Sequence, residues 1–124
     1  MGKKMVHVEF PAQDLERGKK FWEGVGGWTL NDAGMPGGQY LMFQEADWGG
    51  AVFKMDEAPA SGTTIYLGSD DIDADLAKVR ELGGEADDKQ PIPSIGWFAR
   101  CVDTEGNRFS LFQTDESVPA PGEG

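Results

Sequence analysis

Residues 13–27, QDLERGKKFWEGVGG, and residues 70–84, DDIDADLAKVRELGG, follow one pattern at low identity. Each opens with an aspartate at its second position, Asp14 or Asp71, where a side-chain oxygen can cap the free N–H groups of a starting helix. Leu15, Gly18, Trp22 and Val25 fall on one helical face in the first copy, and Ile72, Leu76 and Val79 do so in the second. Both end on a double glycine, Gly26-Gly27 and Gly83-Gly84, the usual helix stop. The two copies lie 57 residues apart.

The same spacing extends outward in both directions. Upstream, MVHVEF (5–10) alternates apolar and polar side chains as a half-buried strand does, and it lands on TTIYLGS (63–69). Downstream, QYLMFQ (39–44) lands on GWFARC (96–101), and Gly49 on Gly106. One offset that aligns strand, cap, helix, stop, strand and turn predicts a structural repeat. Each half reads as strand, helix and three strands, so the fold class is α+β with two βαβββ modules. The expectation is a single domain over 1–124, with module one about 5–55, module two about 63–113, and TDESVPAPGEG (114–124) as a flexible tail.

Composition narrows the function classes. The chain has 124 residues, enough for one core, and carries 22 acidic against 11 basic side chains for a net charge of −11. Such a surface repels nucleic acid and anionic membranes, and no basic stripe offsets it, so neither is expected as a partner. No apolar run reaches the roughly 20 residues that span a bilayer, and no apolar signal-peptide core follows the first lysines. The single cysteine, Cys101, cannot form an internal disulfide, which points to a reducing cytoplasm. A Ser-His-Asp order, a phosphate-binding glycine loop and a CxxC motif are absent from the sequence, and no cofactor is expected.

The runs VHVEFPAQDLERGKKFWEGVGGW (6–28), DDIDADLAKVRELGG (70–84) and GWFARCVDTEGNRFSLFQ (96–113) resemble the vicinal oxygen chelate superfamily. That group includes glyoxalase I, extradiol dioxygenases, methylmalonyl-CoA epimerase and the bleomycin-resistance proteins. The most specific pieces are the D-x-x-G-N turn at 103–107 and the F-W-x-x-x-x-G-W ending of the first helix at 21–28. The likeness covers about residues 5–113. It implies a curved, mostly antiparallel sheet forming a cleft, with the helices on its outer face.

In metal-dependent members, the resemblance implies one ligand from the first and one from the last strand of each module. Those positions here are His7, Phe53, Thr64 and Ser110. One imidazole and two hydroxyls make a poor divalent site, so no metal is expected, His7 being the only ligand position retained. Glu9, two residues along the same strand face, is the companion carboxylate, and His7 with Glu9 are the catalytic candidates. Alternation from these anchors assigns the cleft face. The first strands contribute His7 and Glu9, then Thr64 and Tyr66. The third strands contribute Leu41 and Phe43, then Phe98 and Arg100. The last strands contribute Phe53, then Ser110 and Phe112. The opposite parity, with Val8, Phe10, Val52, Leu67, Ala99, Cys101 and Leu111, supplies the core under the helices.

An apolar and aromatic face with a few polar groups is what a small-molecule pocket needs. The leading expectation is therefore a metal-free binding protein for an aromatic or cationic ligand. Two others stand beside it: a lyase, isomerase or dioxygenase-type enzyme using His7 and Glu9, and an interaction module whose cleft receives a peptide. Open sheet edges and a half-covered cleft predict a homodimer.

Overall fold

The computed structural model describes residues 2–34, 36–56 and 62–119. Two compact units emerge, Val6–Thr64 and a second made of Ile65–Gly124 with Met1–Met5. The α+β architecture and the two βαβββ modules are as expected, and each module is built by the same rules.

Module one runs through strand β1 (Met5–Ala12), helix α1 (Leu15–Gly26), strand β2 (Asn31–Asp32), a 3-10 turn at Pro36–Gly38, strand β3 (Tyr40–Gln44) and strand β4 (Gly49–Lys54). Asp14 caps α1 by accepting from the Arg17 N–H at 3.0 Å. Gly27, at φ 75°, ends it and returns its N–H to the Glu23 carbonyl. β4 is an interior strand of module one, parallel to β1 and antiparallel to β3, which in turn pairs with β2. α1 lies over one face, where Leu30, Leu41, Phe43 and Val52 form a buried core joined by Val8, Phe10, Leu15, Trp22 and Trp28. Aromatic rings make up much of this layer: Phe10 stacks on Trp22 at 4.1 Å and Trp28 on Phe43 at 4.2 Å.

Module two runs through strand β5 (Thr64–Gly68), helix α2 (Ile72–Glu81), strands β6 (Glu85–Ala86) and β7 (Gln90–Ile92), then β8 (Gly96–Val102) and β9 (Arg108–Thr114). Asp71 caps α2 through the Ala74 N–H, and Gly83, at φ 94°, follows its end. β9 pairs parallel with β5 and antiparallel with β8. β6 and β7 lie along the same edge of β8, against Val102 and Cys101 and then against Phe98, Trp97 and Gly96. They are one expected strand broken by Asp87–Lys89. Under α2, Ile72, Leu76, Ala99, Cys101 and Leu111 are buried together, with Trp97 and Phe109 packed against them.

The D-x-x-G-N turn joins β8 to β9 for a visible reason. Asp103 Oδ1 accepts from the N–H groups of Glu105 and Asn107, both at 2.8 Å, while Gly106 takes the left-handed φ of 88°. These bonds hold the Asp103 carboxyl below the usual carboxylate range, first through the Asn107 side chain.

Residues 3 and 4 belong with module two, because Lys3 pairs with Asp75 at 2.8 Å and the Lys4 carbonyl accepts from Gly68 N–H. The segment expected as a tail from 114 is docked farther along: Thr114 is still in β9, Val118 is buried, and its carbonyl accepts from Ser94 N–H. Residues 120–124 lie outside the described residues. No helix among the described residues is long and apolar enough to cross a membrane.

Candidate functional site

Side chains of paired residues share a sheet face, so the register decides which groups can meet. In module one Glu9 lies beside Ala51, and Ala51 beside Met42; Phe53 lies beside Tyr40. The face turned away from α1 therefore carries His7, Glu9, Tyr40, Met42 and Phe53. Leu41 and Phe43 were expected there, and this is corrected. Both are buried on the α1 side, where the Phe43 ring covers the bare backbone of Gly50 and stacks on Trp28.

The error has a simple origin. The first strands and helices repeat at the spacing of 57 residues, but the registers match Met42 with Arg100 and Ala51 with Ser110. Module two thus gains one residue before β8 and a second in the turn before β9. One residue flips a strand's faces, and two restore them. So the β3 assignment fails, while Phe53 keeps its face but matches Phe112. Ala51, not Phe53, is the counterpart of Ser110.

Tyr40, which the alternation placed on the other side, joins the two catalytic candidates. Its hydroxyl donates to Glu9 Oε2 at 2.5 Å, and His7 Nε2 lies 2.8 Å from the Tyr40 oxygen. The phenol has one proton and gives it to the carboxylate, so its oxygen accepts from a protonated Nε2. The imidazole and phenol planes are nearly parallel, 11° apart. His7 and Glu9 are each 18% exposed at the side chain, and His7 Nε2 is 3.9 Å from Glu9 Oε2. Burial lowers the His7 pKa below the ordinary 6.5, against an opposing pull from Glu9. At neutral pH the ring is uncharged. The arrangement is a hydrogen-bonded row, His7 to Tyr40 to Glu9, able to orient a polar ligand or pass a proton.

In module two the alternation holds. Tyr66, Ser110 and Arg100 form one cross-strand row, Phe112 and Phe98 the next, and Thr64 starts β5 two residues before Tyr66. All six sequence-assigned residues share the face opposite α2. Ser110 is 1% exposed and its Oγ has no hydrogen-bond partner among the described residues. Arg100 is exposed, its guanidinium 5.8 Å from the centre of the Phe98 ring. Cys101, on the opposite parity, is buried under α2; burial pushes its thiol up to about 11, which removes it as a nucleophile.

Among the described residues, no group of three or more His, Cys, Asp or Glu side chains could hold a metal ion. A separate pocket of about 430 Å³ opens at the β2–β3 edge between Trp28, Asn31, Phe43 and Glu45. It shares Met42 with the His7 face and none of the candidate polar groups.

A family described as a glyoxalase-like domain matches residues 5–112. A glyoxylase-like domain-containing protein from Didymella fabae is 30% identical over 113 residues, covering 84% of this chain and 88% of that one. Among solved structures, a Streptomyces coelicolor methylmalonyl-CoA epimerase in complex with 2-nitronate-propionyl-CoA superposes with a TM-score of 0.71 at 16% identity, over 96% of this chain and 99% of the other. A glyoxalase/bleomycin resistance protein/dioxygenase superfamily member from Vibrio splendidus 12B01 gives 0.67 at 14% identity, over 90% and 99%. At such identities the structures share the fold alone. The family match, over nearly the full length of both modules, carries the assignment: the chain belongs to the glyoxalase-like domain family.

Proposed function

We propose that this chain is a small-molecule-binding protein that works without the divalent metal of its metal-dependent relatives. The ligand is aromatic or cationic and lies against a sheet face opposite its module's helix. The observation that carries this reading is the hydrogen bond between His7 Nε2 and Tyr40, whose own proton goes to Glu9. A metal on Nε2 would need that nitrogen bare and the bond broken.

The rest of the donor set points the same way. Phe53 has no donor atom, nor has Ala51, the register counterpart of Ser110; Thr64 and Ser110 offer neutral hydroxyls. These residues do not fit a first-row divalent ion. What they fit is an organic ligand: Phe53 lies beside Tyr40 of the polar row in module one, and Phe98 and Phe112 are cross-strand neighbours in module two. The net charge of −11 favours cations, and Glu9 gives one a carboxylate to approach.

A second reading is favoured by the same row. A proton taken up by His7 can be relayed to Glu9 through the Tyr40 hydroxyl, the connection that a metal-free lyase or isomerase would use for acid–base work. The reading also takes the protein as a cytoplasmic homodimer. Phe21 and Val25, one turn apart on α1, are 57% and 70% exposed and offer an apolar patch that a second copy would cover.

Elemental analysis of purified protein, with calorimetric titration of benzyltrimethylammonium and benzyl alcohol, tests the proposal. Substoichiometric metal and saturable binding are expected. Stoichiometric Zn, Ni, Fe or Mn that is lost in His7→Ala would overturn it.

A further inference from the structure

We propose that Arg100 and Ser110 form a carboxylate-binding subsite on module two, and that the ligand taken there is an aromatic acid. This rests on the reading that the sheet face opposite α2 receives a small molecule, and it names the chemical class.

Three observations converge on one spot. Arg100 is paired across the β8–β9 ladder with Ser110, so their side chains leave the sheet side by side. Among the described residues the Arg100 guanidinium has no carboxylate within ion-pair distance, in a chain where acids outnumber bases two to one. Ser110 Oγ, fully buried, has no hydrogen-bond partner among the described residues. A buried hydroxyl without a partner costs stability, and native structures keep few of them. A donor left unused beside an unpaired guanidinium is the donor set that a carboxylate fills: two N–H groups on one side and one O–H on the other.

The neighbouring row specifies the rest of the ligand. Phe98 and Phe112 are paired next to Arg100 and Ser110 on the same face, both half-buried, and Arg100 already lies over Phe98. A ring attached to the carboxylate would stack on this pair. Arg100 is exposed and its side chain is long and rotatable, so an anion paired with the guanidinium can be drawn down against Ser110.

Titration of the full chain with benzoate, benzyl alcohol and benzyltrimethylammonium, followed by NMR, tests the subsite. Benzoate should bind wild type, lose about tenfold or more in affinity in Arg100→Gln, and lose severalfold in Ser110→Ala. Benzyl alcohol should be indifferent to both changes. The melting temperature of unliganded Ser110→Ala should not fall, because the hydroxyl satisfies nothing without ligand. A drop in that temperature would assign Ser110 a structural bond and overturn its role here. Benzoate binding that ignores Arg100→Gln would overturn the subsite, as would binding of benzyltrimethylammonium with none of benzoate; the wider small-molecule reading would survive either. If none of the three probes binds, both readings fall.

Discussion

His7 and Tyr40 are joined by a 2.8 Å hydrogen bond between the imidazole Nε2 and the phenol oxygen, across 33 positions of sequence. Because the phenol proton goes to Glu9, one hydroxyl serves both partners. Tyr40→Phe removes a bond from each of two half-buried polar groups while keeping the ring. Urea denaturation should give a stability loss of about 1–3 kcal/mol. An unchanged midpoint and slope would mean that the row contributes nothing to the fold.

The depressed His7 pKa makes stability depend on pH in one direction. Below 6.5 the unfolded chain takes up a proton on His7 that the folded chain resists, so folding is favoured above that value and loses ground as pH falls through it toward the folded pKa. Thermal melts between pH 7.5 and about 5 should show this decline, and His7→Gln should flatten it. The lowered carboxylates Asp75 and Asp115 act below their ordinary 3.8 and leave this window clear. A decline of equal size in His7→Gln would place its origin elsewhere.

Two glycines of module one should respond oppositely to alanine. A Cβ on Gly50 would stand 2.7 Å from both the Phe43 ring and the Val8 carbonyl oxygen, and the backbone atom cannot turn aside. Gly50→Ala should cost about 1–3 kcal/mol or more. Gly24, on the exposed side of α1, has nothing within 4 Å of an added Cβ. There alanine should add up to about 1 kcal/mol through helix propensity alone. Similar melting shifts for the two would contradict the packing of Phe43 on Gly50.

Cys101 should react slowly with thiol reagents in the native protein and rapidly in denaturant. It is 3% exposed beneath α2, and its thiol is raised to about 11, chiefly by burial. Rapid labelling without denaturant would mean that β8 presents its other face, which would exchange Arg100 and Phe98 with the core residues.

The proposed dimer is checked by light scattering. A mass near twice 13.4 kDa is expected at micromolar concentration, and Phe21→Glu should shift it toward the monomer. A monomer mass for the wild type throughout would remove the α1 patch as an interface.

Much of this molecule is written locally. The caps at Asp14 and Asp71, the glycine stops and the Asp103 turn depend on groups a few residues apart, so the repeat and the α+β class were legible from the chain alone. Module two's face was legible too, since Arg100 in GWFARC marks one parity as the polar-bearing side. QYLMFQ carries no such mark: Tyr40 and Met42 on one side and Leu41 and Phe43 on the other are both apolar enough to be buried. Only the β3–β4 register chooses between them, and that register depends on loop lengths and on Phe43 finding the bare backbone of Gly50. The row His7, Tyr40, Glu9 and the unpartnered hydroxyl of Ser110 are likewise products of strand pairing. They come from residues far apart in the chain, and no spacing rule in one strand carries information about the strand beside it.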